Sequence, residues 1–276
     1  MSGNAPKNPL PDSRSNPPGP SPEPTRRFSN RVEDYIRYRP HYPREILDFL
    51  ATDCGLTLES VIGDIGSGTG IFSELFLANG HRLFGIEPNR EMREAGERLL
   101  RHFERFTSCA GTAEATSLPD QSVDFVTAGQ AFHWFNRDRC RPEFCRVLRP
   151  SDWVVLTWNE RRTDSTPFLA EYEQLLLEFA TDYAKVDHRQ IDGAALTGFF
   201  GVEPRRRSWR HYQEFDYEGL KGRLLSSSYA PARGQPRHEE MIGALKSLFD
   251  RRQESGRVKF EYEAIVFCCP RRSMRA

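Results

Sequence analysis

The sequence lacks an excess of charge of either sign. It contains 39 Lys and Arg residues and 39 Asp and Glu residues, so its formal net charge is zero at neutral pH. A chain without a strong net field is not drawn as a whole to nucleic acid or to an anionic membrane. Short arginine runs, such as residues 205–207, are more typical of a solvated face than of a phosphate site. We therefore expect a small-molecule partner, no nucleic acid and no membrane, and the sequence indicates no oligomeric state.

Long apolar runs and paired cysteines are also missing. No uninterrupted apolar segment is long enough to cross a bilayer, and the N-terminus lacks the apolar core of a secretion signal. The six cysteines form no Cys-x-x-Cys pair and show none of the His/Cys spacings that zinc requires. These absences predict a cytoplasmic protein with reduced thiols and no metal site.

Composition divides the chain into two unequal parts. Residues 5–25 are rich in proline, serine and asparagine and offer almost nothing apolar to bury, which predicts a disordered tail over residues 1–27. The remaining chain, residues 28–272, has the length and the apolar content of one elaborated α/β domain.

Strand and helix patterns alternate from residue 44 to residue 158. We predict helices in "REILDFLATDCG", "GIFSELFLANG", "NREMREAGERLLRHF" and "RDRCRPEFCRVLRP", the last stopped by Pro150, and strands in "SVIGDIG", "HRLFGIE", "FTSCAG", "SVDFVTA" and "DWVVLTWN". Such alternation predicts a doubly wound parallel sheet with helices on both faces. Downstream, "TPFLAEYEQLLLEFATDY" predicts a helix, residues 207–231 a strand and a helix, and "KFEYEAIVFCCP" a last strand in an antiparallel edge hairpin.

Two loops at the carboxyl ends of these strands suggest a ligand site. In "DIGSGTG", Gly66, Gly68 and Gly70 allow the backbone to approach a ligand at a helix N-terminus, although a purely structural turn would have the same composition. Glu87 ends a strand about twenty residues later, where a carboxylate can accept hydrogen bonds from ribose hydroxyls or simply sit at a helix N-terminus. The dinucleotide fingerprint requires glycine at position 71, where Ile71 stands, so this spacing disfavours a nicotinamide enzyme.

A third loop, "GQAFHWFNRD", places His133 between aromatic residues after a predicted strand. An imidazole there can orient a substrate or accept its proton, and aromatic walls exclude water and favour a cation. A histidine with a purely structural role is the alternative.

Four segments in order, "DIGSGTG", "GIEPN", "GTAEATSLPDQSVDFV" and "QAFHWF", resemble class I S-adenosylmethionine-dependent methyltransferases. The resemblance is to the small-molecule branch that includes trans-aconitate methyltransferases, and it is strongest over residues 28–160. It implies a Rossmann-like, mostly parallel seven-stranded sheet with a helical lid insertion. It further implies methyl transfer from S-adenosylmethionine to a small-molecule acceptor, which in this branch is a carboxylate.

The resemblance also assigns roles to single residues. Residues implied to bind the cofactor are Asp64, Gly66, Ser67, Gly68, Gly70, Glu87, Ala113, Glu114 and Gln130, together with Tyr35 and Arg39 of the segment "YIRYRPHYP". His133 is the catalytic candidate, as base or as positioning group, and His41, Phe132 and Trp134 are implied to wall the acceptor pocket. Residues 28–45 would form an N-terminal lid, or simply a packed segment, and residues 159–205 a helical insertion on the acceptor side. A catalytically silent relative that only binds the nucleoside is the alternative function.

Overall fold

The computed structural model describes residues 36–181, 183, 193–227 and 229–274. The predicted tail over residues 1–27, the first part of the predicted lid segment and Tyr35 lie outside these ranges. None of the helices within them combines the length and the apolar character needed to cross a membrane.

One sheet forms the centre of the described chain. Its seven strands are β1 (Val61–Ile65), β2 (Arg82–Ile86), β3 (Phe106–Cys109), β4 (Val123–Gly129), β5 (Leu148–Arg161), β6 (Arg205–Phe215) and β7 (Val258–Pro270). They lie in the order β3-β2-β1-β4-β5-β7-β6. The first five strands are parallel, whereas β7 pairs antiparallel with both β5 and β6. The predicted mostly parallel, doubly wound sheet with an antiparallel edge is therefore confirmed.

The helices follow the strands in the expected alternation. In the described ranges they are α1 (Glu45–Cys54), α2 (Ile71–Leu77), α3 (Arg90–Leu100), α4 (Arg137–Val147), α5 (Pro167–Phe179), α6 (Gly193–Phe200), α7 (Tyr217–Leu225) and α8 (His238–Arg252). Two short 3-10 turns, Phe132–Trp134 and Arg271–Met274, complete the set. Gly55 ends α1 in the left-handed region, with its N–H bonded to the carbonyl of Leu50, as its sequence position predicts.

Successive strand residues point to opposite faces of the sheet, and each face is covered by helices. Ile62 and Phe125 pack in a cluster with α1 and α2, whereas Ile65 and Val126 pack in a cluster with α4 and α6. A third cluster joins α5, α7 and α8 to β6 and β7. The sheet is thus buried on both sides, as parallel sheets require.

The end of α4 differs from the prediction. The helix ends at Val147, and β5 already begins at Leu148, so Pro150 lies inside a strand and does not stop a helix. The pairing of β4 with β5 shifts register between Val123 and Phe125. A proline is tolerated at such an irregular position because no ladder hydrogen bond is lost there.

Between β5 and β6, the described residues contain the helices α5 and α6. Only α5 packs with α7 and α8, whereas α6 places Leu196, Phe199 and Phe200 in the core cluster beside α4. The predicted boundaries of a helical insertion at residues 159–205 therefore include the end of β5 and one core helix. The helical layer over β6 and β7 is built from α5, α7 and α8, and its role as an acceptor-side insertion stays a prediction.

All six cysteines are free thiols, in line with the predicted reduced state. Cys54 and Cys268 have their Sγ atoms 3.6 Å apart in the interior between α1 and β7.

Gly70 offers a direct test of the packing between α2 and α3. Its φ is +87°, and a Cβ there would lie 2.4 Å from Cδ1 of the buried Leu100. We expect Gly70→Ala to lower the free energy of unfolding by about 1–3 kcal/mol, since strain in the left-handed region adds to overpacking. Gly243→Ala in α8 is the control, because no heavy atom lies within 4 Å of the Cβ position and its φ is ordinary for a helix. Equal urea midpoints for the two variants would contradict this assignment.

Candidate functional site

A cavity of about 320 Å³ opens at the carboxyl ends of the parallel strands. It lies where β1 and β4 are neighbours, the point at which the strand order reverses and where open α/β sheets bind ligands. Its lining comprises Arg39, Pro40, Tyr42, Asp64, Gly66, Ser67, Gly68, Thr69, Ile71, Phe72, Glu87, Pro88, Asn89, Met92, Thr112, Ala113, Glu114, Gly129, Gln130, Ala131, Trp134, Phe135, Asn159 and Arg223.

The glycine loop after β1 forms the floor of this cavity. Gly66 and Gly68 have φ values of +68° and +58°, and a Cβ at Gly66 would lie 2.7 Å from the Cβ of Ala131. The backbone N–H groups of Gly66 and Ser67 donate to the carbonyl of Ile86 at 2.8 and 3.1 Å. Glycine is thus required both for the turn and for the close approach of the β4 loop.

The carboxylate of Glu87 lies at the end of β2 and is only 8% exposed. Its Oε2 accepts from the N–H of Gly68 and its Oε1 from the N–H of Asn89, each at 2.8 Å. Burial raises the pKa of this carboxyl above its ordinary value, and these two hydrogen bonds oppose the rise. Two ionised oxygens can accept about four hydrogen bonds, so the site retains acceptor capacity toward the cavity.

Asp64, the second buried carboxylate of the cavity, stands at the end of β1. Its Oδ2 accepts from Ser73 Oγ at 2.6 Å and its Oδ1 from Thr127 Oγ1 at 2.9 Å. Burial raises its pKa from 3.8 to about 6, despite the hydroxyl donors and with a smaller contribution from the charge of Glu87. A cation bound in the cavity would favour the ionised forms of both acids.

The segment after β3 forms a second wall, with Thr112, Ala113 and Glu114 facing the cavity. Oε1 of Glu114 accepts from the N–H of Asn136 at 2.8 Å, which ties this wall to the start of α4. A flat heterocycle could be held here by two contacts. The carboxylate would accept a hydrogen bond from its edge, and the buried alanine would pack beside it.

The loop after β4 provides the opposite wall. Gln130 adopts a φ of +56°, rare for a residue with a side chain, and its Nε2 donates to the carbonyl of Asn159 at 3.0 Å. Trp134 and Phe135 contribute aromatic surface to the cavity.

The N-terminal segment closes the cavity from above. Nδ2 of Asn159, at the end of β5, donates to the carbonyls of Pro40 and His41 at 3.4 and 3.2 Å. Nη2 of Arg39 donates to the carbonyl of Ser226 at 3.0 Å. The Tyr38 ring packs so closely on Gly222 of α7 that a Cβ there would lie 2.0 Å from it. The segment is therefore docked on both β5 and α7, while its action as a lid stays a prediction.

Most of the predicted site residues do meet around this cavity. Those that line it are Arg39, Asp64, Gly66, Ser67, Gly68, Glu87, Ala113, Glu114, Gln130 and Trp134. Their individual roles stay predictions.

Four predicted site residues are not part of the lining. Gly70 serves the packing of α2 against Leu100, and Phe132 is fully buried in the core, with its ring centroid 4.7 Å from that of Phe199. The His41 side chain is exposed and lies 3.4 Å from Glu74. The structure places these three side chains away from the cavity lining, and their roles toward the cofactor and the acceptor stay predictions.

His133, the catalytic candidate, also lies outside the cavity lining. Its ring centroid is 4.7 Å from that of Trp134, which does line the cavity. The imidazole therefore lies beside Trp134 of the aromatic wall and is not among the side chains that line the cavity.

Sequence reasoning missed several lining residues, notably Tyr42, Asn159 and Arg223. Tyr42 stands at the end of "YIRYRPHY", in the predicted lid segment, and Asn159 at the end of the predicted strand "DWVVLTWN". A polar side chain directly after an apolar strand was the available signal for Asn159. Nothing in the local sequence of Arg223 marks it, because its burial depends on how α7 packs.

Comparisons with known proteins agree with this geometry. Residues 63–156 match the sequence model of a methyltransferase domain family. An uncharacterized methyltransferase-like protein of Schizosaccharomyces pombe is 32% identical over 156 residues, which are 56% of this chain and 59% of that protein. An uncharacterized methyltransferase of Mycobacterium bovis is 35% identical over 134 residues, 49% of this chain and 52% of that protein. The aligned regions span between half and three fifths of these relatives.

Among solved structures, a candidate type II methyltransferase from Anaeromyxobacter dehalogenans superposes with a TM-score of 0.64. The alignment covers 85% of this chain and 98% of that chain at 22% sequence identity, so it establishes the likeness of fold.

The buried Asp64 predicts a pH dependence of stability. Its pKa is about 6 in the folded chain against an ordinary 3.8, so the folded state holds the proton more tightly than the unfolded state. Stability from this group is therefore present below about pH 4 and is lost as the pH rises to about 6, by about 3 kcal/mol at about 1.4 kcal/mol per pH unit.

We expect Asp64→Asn to remove this component, so that the variant gains stability relative to the native chain between pH 4 and pH 6. Urea unfolding across that range measures the free energy of unfolding of both proteins. Subtracting one from the other removes the pH dependence that Glu87 and Asp152 contribute to each of them. Parallel pH profiles for the two proteins would show that Asp64 is ionised at its ordinary pKa.

Proposed function

We propose that this chain, which contains a methyltransferase domain over residues 63–156, binds S-adenosylmethionine in the cavity and transfers its methyl group to a small-molecule acceptor. The observation that carries the proposal is the pair formed by the glycine loop and Glu87 at the ends of β1 and β2. Together they offer a close backbone approach and a buried carboxylate with spare acceptor capacity.

The donor set of the cavity fits this cofactor. Glu87 would accept hydrogen bonds from the two ribose hydroxyls, since each of its oxygens already holds one backbone N–H and can accept another bond. Ala113 and Glu114 would flank the adenine. The glycine loop, Asp64 and Arg39 would hold the amino-acid part, and the negative charge of Asp64 and Glu87 would favour the sulfonium cation.

When bound, the cofactor supplies an electrophilic methyl group on a positively charged sulfur. The chain's part is to align an acceptor with that methyl group and to exclude water, since positioning provides most of the rate of such a displacement. Tyr42, Phe72, Trp134 and Phe135 provide apolar walls for this purpose, and their π faces tolerate a nearby cation.

We propose a carboxylate as the accepting group, in keeping with the resemblance to trans-aconitate methyltransferases. The lining described above contains no histidine, lysine or cysteine side chain, and its carboxylates Asp64, Glu87 and Glu114 already accept hydrogen bonds from within the chain. A carboxylate is already ionised at neutral pH and needs no base, whereas a hydroxyl or an amine would call on one. In this mechanism His133 positions Trp134 and moves no proton.

A labelled-methyl assay with a metabolite panel that contains carboxylic acids, alcohols and amines tests the whole proposal. We expect transfer to at least one carboxylic acid, with base-labile product. A chain that binds S-adenosylhomocysteine and transfers no methyl group to any of the three classes would instead be a nucleoside-binding module.

Glu87 carries the cofactor assignment. We expect Glu87→Ala to weaken S-adenosylmethionine binding by about 1.5–3 kcal/mol, because two charge-assisted hydrogen bonds are lost in a buried site. Glu87→Gln serves as the companion variant, since it keeps the side-chain size and can still accept from one backbone N–H. Calorimetric titration measures both, with urea unfolding to verify the fold. Unchanged affinity in a folded Glu87→Ala variant would overturn the nucleoside site.

Substitution of His133 distinguishes a positioning role of the imidazole from a role as the catalytic base. We expect His133→Asn to retain turnover within about tenfold, with cofactor affinity and the shape of the pH–rate profile preserved, since the imidazole is not among the side chains that line the cavity. If the imidazole were the base, the same change would cost about 10²–10⁴-fold and remove the acidic limb of the profile. Steady-state kinetics between pH 5 and pH 9 distinguish the two.

A further inference from the structure

Arg223, on α7, is a buried cation at the edge of the cavity. It is 6% exposed and lines the cavity together with Arg39. An arginine stays protonated in proteins, and a buried charge is costly unless it is paired.

The partners of Arg223 within the described chain are neutral. Its Nε donates to Tyr262 Oη at 3.1 Å and its Nη1 to Ser227 Oγ at 3.2 Å. Two of its five N–H groups are thus accounted for, and among the described residues none of its hydrogen bonds or ion pairs is to a carboxylate. By contrast, Arg161, whose side chain is 10% exposed, is paired with Glu173.

The carboxylates of the cavity form hydrogen bonds with groups other than Arg223. Asp64 accepts from two hydroxyl groups, Glu87 from two backbone N–H groups and Glu114 from a backbone N–H of α4. None of them lies within ion-pair distance of Arg223. Among the residues that the structure describes, the guanidinium at the edge of the cavity therefore has no carboxylate counter-ion.

Arg223 also lies on the far side of the site from Glu87, the residue proposed to hold the ribose of the cofactor. It contacts Tyr262 of β7, and four strand spacings separate β7 from β2, which ends at Glu87. At about 4.8 Å per spacing this is about 19 Å across the sheet. Helix α7 also belongs to the helical layer that packs on β6 and β7, outside the family-matched residues 63–156.

We propose that Arg223 binds an oxyanionic group of the acceptor, a carboxylate or a phosphate, and so selects anionic acceptors. This inference rests on the methyl-transfer function proposed above. A planar guanidinium with three remaining N–H groups suits two-point contact with such a group.

The anchored group is distinct from the atom that receives the methyl group. An oxygen held by a guanidinium is a weakened nucleophile, because the pairing stabilises its ionised, unreacted form. The acceptor would therefore carry at least two functional groups, one held by Arg223 and one presented to the sulfonium methyl.

The test uses the chain saturated with S-adenosylhomocysteine and titrated calorimetrically at constant ionic strength. The probes are succinate, citrate and inorganic phosphate, with succinamide as the neutral match for succinate. We expect at least one anion to bind, succinamide not to bind, and the preference between carboxylates and phosphate to identify the anchored group. A chain that binds S-adenosylhomocysteine and none of the three anions would overturn the anchor while leaving the cofactor site intact.

Variants of Arg223 then test whether this side chain binds the anion. Arg223→Gln should weaken anion binding about 10- to 100-fold, and Arg223→Lys, which keeps the charge and is the variant of choice if the first does not fold, should weaken it less. Arg252→Gln is the control, an exposed arginine of α8 that pairs with Glu171 away from the cavity. Unchanged anion binding in either folded Arg223 variant would contradict the proposal.

The cofactor's own carboxylate is the competing source of an anion. The ratio of affinities for S-adenosylhomocysteine and 5′-methylthioadenosine, which lacks the amino-acid part, measures its contribution. We expect this ratio to be the same in the native chain and in Arg223→Lys. A ratio that collapses in the variant would assign Arg223 to the cofactor and overturn its role toward the acceptor.

Discussion

The carboxylate of Glu87 holds the candidate site together. By accepting N–H groups from Gly68 and Asn89, it joins the glycine loop after β1 to the N-terminus of α3. Hydrogen bonds to an ionised acceptor are among the stronger ones in proteins, and here they are shielded from water. The shape of the cavity floor thus depends on a charge that burial itself disfavours.

This arrangement divides the cavity electrostatically. Buried acids, Asp64 and Glu87, stand at the ends of β1 and β2, where burial raises the pKa of each. The guanidinium of Arg223 stands beside β7 at the other side. This arrangement favours a cationic ligand at one side of the cavity and an anionic ligand at the other.

The sequence was sufficient to predict the sheet, because its strands are apolar runs separated by turn signals and helical patterns. It also located the glycine loop and Glu87, whose spacing reflects the local geometry of one β-α-β unit. The end of α4 was predicted wrongly, since Pro150 signals a helix stop while the pairing of Leu148 with Val123 already begins β5. Tertiary pairing decided this boundary.

Other features depend on packing that no local pattern reports. Helix α6, "GAALTGFF", contains two glycines and is stabilised by Phe199 and Phe200 in the core. Helix α8 was not predicted from the sequence. The loop after β4 was located correctly, yet of the 3-10 turn Phe132–Trp134 only Trp134 lines the cavity, whereas Phe132 is buried in the core. In the sequence, Arg223 looks like an ordinary exposed arginine of a helix. Its burial follows only from the packing of α7 against β7.

Calorimetric titration of the native chain with S-adenosylmethionine, S-adenosylhomocysteine and NAD tests the central claim most directly, namely that the glycine loop and Glu87 form an S-adenosylmethionine site. The account predicts binding of both sulfur nucleosides with one molecule per chain and no measurable binding of NAD. Binding of NAD with equal or higher affinity, or no binding of either sulfur nucleoside, would contradict it.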